Sequence, residues 1–257
     1  MNKDTDDLIE HENANWTKVF QEELKNKNDK KFSSFWWKDY YEELTSYIDK
    51  IILNNNLYTI LEAGSGSGKA TILLDKSFKK TLLDISPAAL KYAKYLSEKF
   101  DSKIEKFIVG NVFSMPFEDN NFDFVWNVGL IEHYDLKNIE LIIKELGRIC
   151  SSGGIVAVSM PNFWSGPIIK AWLLKVLRFF PSYKIDTEKF YKIAEIEKIF
   201  NQAGKELGKE ISYIKIEYFG NPLIMESPKF ILETIGKIFS KMFRKNKFLI
   251  LMVCKFK

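Results

Sequence analysis

The chain has 257 residues, 46% of them hydrophobic and 28% charged, which is typical of a globular protein with a sizeable core. The two cysteines, Cys150 and Cys254, exclude a disulfide framework, and with only two histidines besides we expect no metal site. The net charge of +4 does not by itself indicate a nucleic-acid partner, and we expect none.

The amino terminus, MNKDTDDLIEHEN, is acidic and polar, and it lacks the basic start and apolar stretch of a secretory signal. No uninterrupted apolar run approaches the ~18 residues of a membrane span. We therefore expect a cytoplasmic protein. Residues 1–31 are polar, with Trp16, Val19 and Phe20 as apolar anchors, and this pattern predicts a loosely held arm or a short helix.

Between positions 35 and 53, apolar residues recur at three- and four-residue intervals, which predicts a helix. Together with the arm, this helix makes residues 1–54 a predicted N-terminal helical cap. Residues 55–257 form the second predicted unit.

Short apolar segments then alternate with helical patterns. Strands are predicted at 57–63, 81–85, 103–110, 122–128 and 155–160, and helices directly after Gly68 and at 86–100 and 136–150. Ser86 and Pro87 are good helix-start signals, as an N-cap residue and as proline at the first helical position. Strands that alternate with helices pair in parallel and bind ligands at their carboxyl ends. The pattern therefore predicts an α/β fold with a Rossmann-like, doubly wound, mostly parallel sheet.

The last third of the chain continues with a predicted helix at 187–204, which Gly204 is expected to close. Segments 211–219 and 247–256 are predicted to form a final antiparallel pair of strands.

A glycine-rich loop, EAGSGSGKAT, occupies residues 62–71. A P-loop requires the spacing G-x-x-x-x-G-K-[ST], but Ala63 and Ala70 stand at its first and last positions. The dinucleotide fingerprint G-x-G-x-x-G also fails, because the third glycine, Gly68, comes one residue early. An acid followed by G-x-G-x-G fits, since such glycines let the backbone approach a nucleoside that carries no pyrophosphate, and the acid can pair with an amino group.

This loop and the motifs that follow it resemble the class I S-adenosylmethionine-dependent methyltransferases, in particular the small-molecule subgroup that includes ubiquinone-biosynthesis-like enzymes. The resemblance covers residues 57–160 and implies a seven-stranded, mostly parallel sheet with an antiparallel final strand. It implies S-adenosylmethionine as methyl donor and S-adenosylhomocysteine as product. The function that it predicts is methyl transfer to a small-molecule acceptor.

The resemblance assigns nine residues to the cofactor. They are Glu62, Gly64, Gly66, Gly68, Asp84, Ile85, Asn111, Val112 and Asn127. Asp84 matches the acid that takes both ribose hydroxyls, as an acceptor-only carboxylate can, and Ile85 would pack on the adenine. Asn111 departs from the commoner aspartate of the family, but its amide oxygen can still accept from the adenine amino group. Asn127 lies within a block, 114–134, that resembles the family's fourth strand, and would lie beside the methionine moiety.

His133 is the candidate catalytic base, because its ordinary pKa suits proton removal near pH 7 and it lies just after the fourth predicted strand. The alternative is a histidine that orients the following helix. Glu132 is interpreted as a support of the loop.

Two other classes of function stay open at this point. A non-catalytic S-adenosylmethionine-binding protein would keep Glu62 and Asp84. A P-loop-like nucleotide hydrolase would bind magnesium-ATP instead of the methyl donor.

Compared with the family, the chain carries insertions at about 162–186 and 220–246. Both contain amphipathic, basic patterns, at 166–181 and 227–243. We expect the insertions to form a helical lid that admits an apolar or lipid-like acceptor and that touches a membrane surface through 166–181 and 227–247. The alternatives are helices that pack on the sheet or on each other, or that form a homodimer interface.

Overall fold

The computed structural model describes residues 3–26, 34–177 and 188–257. Seven strands form one sheet. They are β1 (Thr59–Ala63), β2 (Lys79–Asp84), β3 (Lys106–Val109), β4 (Phe122–Asn127), β5 (Cys150–Pro161), β6 (Ile211–Phe219) and β7 (Leu249–Phe256). Their order is β3-β2-β1-β4-β5-β7-β6, with β1 to β5 parallel and β7 antiparallel to both of its neighbours. This confirms the predicted doubly wound, mostly parallel sheet. The strand order reverses beside β1, which is where such sheets bind ligands.

Helices cover both faces of the sheet. They are α1 (Lys3–Asn26), α2 (Phe35–Asn54), α3 (Lys69–Ile72), α4 (Pro87–Lys99), α5 (Leu136–Ile149), α6 (Gly166–Leu177), α7 (Ile193–Glu206), α8 (Lys229–Ile231) and α9 (Lys237–Met242), with a π-helical turn at Leu232–Gly236 between the last two. Short 3-10 turns lie at Ile131–His133 and Arg244–Asn246. Ser86 caps α4 by accepting from the N–H of Ala89, as its sequence predicts. Among the described residues, no helix combines the length and the apolar character that a membrane crossing requires.

The core has two main parts because a parallel sheet is buried on both faces. On one face, alternate residues such as Leu61 and Val125 pack against α5 and α7. On the other face, Ile60 and Phe124 pack in one cluster with α2, whose Trp36, Leu44 and Ile48 are fully buried. The second helix of the predicted N-terminal cap is thus part of the sheet's own core, and the division of the chain at residue 54 stays a prediction.

The amino-terminal arm is a helix of 24 residues, longer than the predicted loose arm or short helix. It packs on α4. The helix predicted directly after Gly68 is present but short, since α3 ends after one turn at Ile72.

The predicted helix stop at Gly204 is wrong. Gly204 lies inside α7, where a Cβ would come within 3.0 Å of the carbonyl oxygen of Lys209, so this glycine permits close packing. The chain turns after the helix at Gly208, whose φ of +64° favours glycine. The helix also begins later than predicted, at Ile193, and Thr187 lies outside the described residues.

The fifth strand begins earlier than predicted, at Cys150 instead of residue 155. Residues 151–154 lie within β5, where the register with β4 shifts so that Phe122 faces Cys150 and Phe124 faces Ile155. The extra residues form an irregularity in the strand, and Gly153 accommodates it at a φ of +76°.

Candidate functional site

A cavity of about 220 Å³ lies at the carboxyl ends of the central strands, beside the reversal of strand order. The loops after β1, β2, β3 and β4 supply most of its wall. Seven of the predicted site residues line it: Gly64, Gly66, Asp84, Ile85, Asn111, Val112 and His133. Three do not, namely Glu62, Gly68 and Asn127.

The glycine loop requires its glycines for two separate reasons. Gly64, Gly66 and Gly68 all have φ between +52° and +64°, a conformation that other residues rarely adopt. A Cβ at Gly64 would lie 2.7 Å from Cδ1 of Leu130, and one at Gly68 would lie 2.4 Å from Cδ1 of Leu82. The missing side chain at Gly64 therefore lets Leu130, in the loop after β4, come close. The missing side chain at Gly68 lets Leu82 pack beneath the glycine loop.

Asp84 connects the loop after β1 to the end of β2. Its Oδ2 accepts the N–H of Gly66 at 2.7 Å, and its Oδ1 accepts the N–H of Ser86 at 2.8 Å. Burial raises the pKa of this carboxyl, and these hydrogen bonds oppose that rise. Each carboxylate oxygen can accept a further hydrogen bond, so Asp84 keeps the capacity to bind hydroxyl groups of a ligand.

Glu62 lies on the α2 side of the sheet, the same side as Ile60. The side chain is 2% exposed, and its Oε2 accepts the N–H of Thr71 at 3.3 Å in the single turn of α3. Burial raises its pKa to about 7, while the hydrogen bonds from Thr71 lower it. In the described structure Glu62 braces the start of α3 instead of lining the cavity.

Lys69 does not face the cavity as the lysine of a phosphate-binding loop would. It is 4% exposed, and its Nζ lies 4.8 Å from the ring centroid of Tyr41 and 5.3 Å from that of Phe100. Thr71 accepts a hydrogen bond from Nε1 of Trp126 at 2.8 Å, so its hydroxyl also points into the core. These placements disfavour the nucleotide-hydrolase alternative.

Asn111, Val112 and Ile85 form the wall expected for the adenine. The Oδ1 of Asn111 accepts the N–H of Phe113 at 3.0 Å, which closes a local turn. A carbonyl oxygen has two lone pairs, so one acceptor position of Asn111 remains for an amino group.

Two polar side chains near the cavity lack hydrogen-bond partners. Asn127 is fully buried at the end of β4, and neither its Oδ1 nor its Nδ2 is hydrogen-bonded. Ser65 lines the cavity, and its Oγ is buried and also has no hydrogen-bond partner. Leaving such groups unpaired costs about 1–3 kcal/mol each, so a polar ligand at this end of the sheet would be stabilised by them. Asp84 can accept further hydrogen bonds and Ile85 presents an apolar surface, so the residues present fit S-adenosylmethionine.

His133 lines the cavity at the end of a 3-10 turn, with its ring centroid 5.3 Å from that of Trp16 in an edge-on arrangement. Burial lowers its pKa to about 4. The imidazole is therefore neutral at pH 7, and it is a weaker proton acceptor than an exposed histidine.

Glu132 is 3% exposed, and its Oε2 has no hydrogen-bond partner. Burial, together with the neighbouring carboxylate of Glu188, raises its pKa to about 8. Its backbone carbonyl accepts the N–H of Lys189 at 2.7 Å, which ties the chain beyond the first insertion to the rim of the cavity. Because the backbone makes this contact, the supporting role of the Glu132 side chain stays a prediction.

One wall of the cavity was not predicted from the sequence. Four side chains of α1 line it, namely Ile9, Glu12, Trp16 and Phe20. The apolar residues among them are separated by seven and four positions, a helical spacing that the sequence shows, but spacing does not indicate which surface a helix covers. Among the described residues that line the cavity, none comes from the two insertions.

Comparisons with known proteins agree with this geometry. The family model of a methyltransferase domain matches residues 61–158. The 2-methyl-6-phytyl-1,4-hydroquinone methyltransferase of Synechocystis is 32% identical over 127 residues, which are 45% of this chain and 39% of that protein. An uncharacterized protein of Methanocaldococcus jannaschii is 30% identical over 84% of this chain and 86% of its own length.

The fold has solved counterparts as well. Magnesium protoporphyrin IX methyltransferase from Synechocystis, in a structure with bound S-adenosylhomocysteine, aligns with a TM-score of 0.58. The alignment covers 93% of this chain and 99% of that chain at 15% identity, which shows a shared fold. Given the matched domain, the strand order and the cavity that the family's motifs line, the chain belongs to the class I methyltransferases, whose cofactor is S-adenosylmethionine.

Proposed function

We propose that this protein transfers a methyl group from S-adenosylmethionine to a small, apolar acceptor. The observation that carries the proposal is the cavity itself, where Asp84, the glycine loop and unpaired polar atoms meet at the reversal of strand order. When bound, the cofactor supplies a methyl group that its sulfonium already activates. The protein then chiefly aligns the acceptor and excludes water, and such alignment contributes ~7–11 kcal/mol.

In this proposal Asp84 holds the ribose, Ile85 and Val112 enclose the adenine, and Asn127 with Ser65 satisfies the polar end of the cofactor. Glu62 acts indirectly, by holding α3 beneath the loop. His133 is the group that contacts the acceptor and takes up its proton where the reaction releases one. Because its imidazole is neutral down to about pH 4, it is in the correct state to accept a proton over the physiological range.

The surface formed by the two insertions supports an apolar acceptor. In α6, Ile169, Trp172, Leu173 and Val176 are between 37% and 56% exposed. In the helical run 229–242, Ile235, Ile238, Phe239 and Met242 are between 41% and 69% exposed, and Leu232 and Gly236 are its buried residues. We call these eight exposed side chains the insertion surface. Arg178, Phe179 and Phe180, which belong to the predicted amphipathic pattern, lie outside the described residues.

The two insertions are joined to each other at their bases. The N–H of Gly166 donates to the carbonyl of Pro222 at 2.9 Å, and Lys170 pairs with Glu226 at 2.6 Å. Nδ2 of Asn246 donates to the carbonyl of Trp164 at 3.0 Å. The insertion surface therefore belongs to one connected structure.

We propose that the insertion surface rests on an anionic membrane, from which an apolar acceptor reaches the enzyme. Exposed apolar patches of this kind mark sites of contact. The basic residues Lys237, Lys241 and Lys245 are exposed on or beside α9, and such residues contribute ~1 kcal/mol each near an anionic lipid surface. Charge complementarity favours an anionic lipid surface over a second copy of this chain, because the lysines of two identical surfaces would repel each other. The hydroquinone methyltransferase is named for an acceptor with a phytyl chain, and an acceptor of that chemical class suits this arrangement.

Two measurements test the proposed activity. S-adenosylhomocysteine should raise the melting temperature, because ligand at about 100 times its Kd adds ~2.7 kcal/mol of stability, whereas magnesium-ATP should not. Transfer of a labelled methyl group to hydroquinones with and without an alkyl chain should favour the alkylated acceptors. Stabilisation by ATP instead would support a hydrolase, and stabilisation without transfer to any acceptor would support a non-catalytic binding protein.

A further inference from the structure

We propose that α1 is a movable cover over the cofactor site. It contacts the bound cofactor through Trp16 and Phe20, and it must separate from α4 for the cofactor to enter or depart. The inference rests on the cofactor assignment made above. It concerns a helix that lies outside the region matched by the methyltransferase family model, residues 61–158.

Phe20 lies directly over the glycine loop. A Cβ placed on Gly66 would be 3.0 Å from Cζ of Phe20, so the ring covers the middle glycine of the loop. Gly66 is also the residue whose N–H holds Asp84. The ring thus stands over the residues that are expected to bind the ribose.

The helix spans the cavity from one wall to the other. On one side, Oγ1 of Thr17 lies 2.8 Å from Oγ of Ser86, the N-cap of α4. On the other side, the ring of Trp16 packs edge-on against that of His133. A ligand between these walls is therefore covered by α1.

The space left beneath α1 is small. The cavity holds about 220 Å³, below the ~300–1,000 Å³ typical of pockets for drug-sized ligands. Entry of a nucleoside with an amino-acid side chain therefore requires α1 to move outward. The side chains of α1 that would lose contacts, Trp16, Thr17 and Phe20, are only partly buried, and the neighbouring Lys18 and Val19 are exposed. Helix motions of this kind set the rates of ligand entry and release in many enzymes.

A reversible crosslink tests whether α1 has to leave α4. The double variant Thr17→Cys/Ser86→Cys places two thiols where the two hydroxyls meet, and the native Cys150 and Cys254 are buried. The oxidised protein should bind S-adenosylhomocysteine with association and dissociation rates lowered by about tenfold or more, measured by stopped-flow fluorescence. Reduction of the same sample should restore both rates, which makes the reduced form the matched control. Equal rates in the two redox states, or a pair of cysteines that does not crosslink, would overturn the proposal that α1 has to leave α4.

A second pair of variants tests the contact. Phe20→Ala should raise the dissociation rate of S-adenosylhomocysteine by about fivefold or more, whereas Val19→Ala, on the exposed side of the same helix, should leave it unchanged. Amide hydrogen exchange in α1 should also slow when S-adenosylhomocysteine is added. Identical dissociation rates for the two variants, or exchange in α1 that does not respond, would show that α1 is no part of the site. If wild type does not bind S-adenosylhomocysteine at all, the cofactor assignment fails instead.

Discussion

The carboxylate of Asp84 accepts the N–H of Gly66 at 2.7 Å, so the residue that ends β2 fixes the position of the glycine loop that follows β1. The same carboxylate lines the cavity. One side chain therefore positions the loop and presents an acceptor to the ligand.

We predict that Asp84→Ala abolishes cofactor binding that calorimetry can measure, while the protein stays folded. The variant loses the ribose acceptor and leaves the N–H of Gly66 without its partner, at a cost of about 1–3 kcal/mol in stability. Circular dichroism and a thermal melt check the fold. Asp75→Ala is the control, because Asp75 is an exposed acid whose carboxylate bonds to Ser77 in a turn away from the cavity. Wild-type affinity for S-adenosylhomocysteine in Asp84→Ala would refute the ribose assignment.

For His133→Ala we predict at least a tenfold loss in turnover with unchanged cofactor affinity. The pKa of His133 is about 4, so the neutral ring is present above that pH. The turnover number should therefore hold as the pH falls through 6.5 and decline only nearer pH 4. A profile of turnover against pH checks this, and unaltered turnover in the variant would return His133 to a structural role.

Glu132→Gln should stabilise the protein at alkaline pH. The folded pKa is about 8, above the ordinary 4.5, so the folded state retains a proton that the unfolded chain releases. Stability therefore falls as the pH rises from 4.5 to 8, because the unfolded state binds fewer protons across that window. Glutamine removes this dependence, and the melting temperature at pH 8 should rise by roughly 5 °C, with little change at pH 5. Glu118→Gln, at an exposed position, is the matched control. The prediction would be contradicted if the melting temperatures of wild type and Glu132→Gln differed by the same amount at every pH.

Gly68→Ala should destabilise the protein more than Gly208→Ala does. Both glycines have a positive φ, of +61° and +64°, so each substitution introduces about 1–2 kcal/mol of backbone strain. At Gly68 the new methyl group also lies 2.4 Å from Cδ1 of Leu82, whereas nothing lies within 4 Å at Gly208. The clash adds about 1–3 kcal/mol, which urea denaturation measures. Equal losses at the two sites would show that Leu82 moves aside without cost.

Membrane contact through the insertion surface predicts flotation with anionic liposomes at low salt and release at high salt. Lys237→Glu/Lys241→Glu should lose this binding, since two basic residues contribute ~2 kcal/mol and their reversal adds repulsion. Lys103→Glu/Lys106→Glu makes the same change of charge near β3, at the far edge of the sheet, and should float like wild type. A wild type that never floats would refute the membrane contact. Sedimentation of a stable dimer that the first variant disrupts would instead identify the surface as a homodimer interface.

The predictions that succeeded depend on short-range patterns. Strands and helices alternate in the sequence, and parallel strands bring their carboxyl ends to one edge, so Asp84, Ile85 and Asn111 had to meet near the glycine loop. The same reasoning fails for Glu62, which does not line the cavity. It belongs to the same motif, but residues alternate between the faces of a strand, and Glu62 shares the face of Ile60 and not that of Ala63.

The sequence by itself therefore determined the fold class, the glycine loop and the position of Asp84 at the cavity, because each depends on residues within a few positions of a strand end. The tertiary structure decided which helix closes the cavity. The spacing of Trp16 and Phe20 shows an apolar face, but only the packing of α1 on α4 places that face over Gly66. It also decided the charge of His133 and Glu132, because a pKa depends on burial by distant segments, and burial is a property of the folded chain.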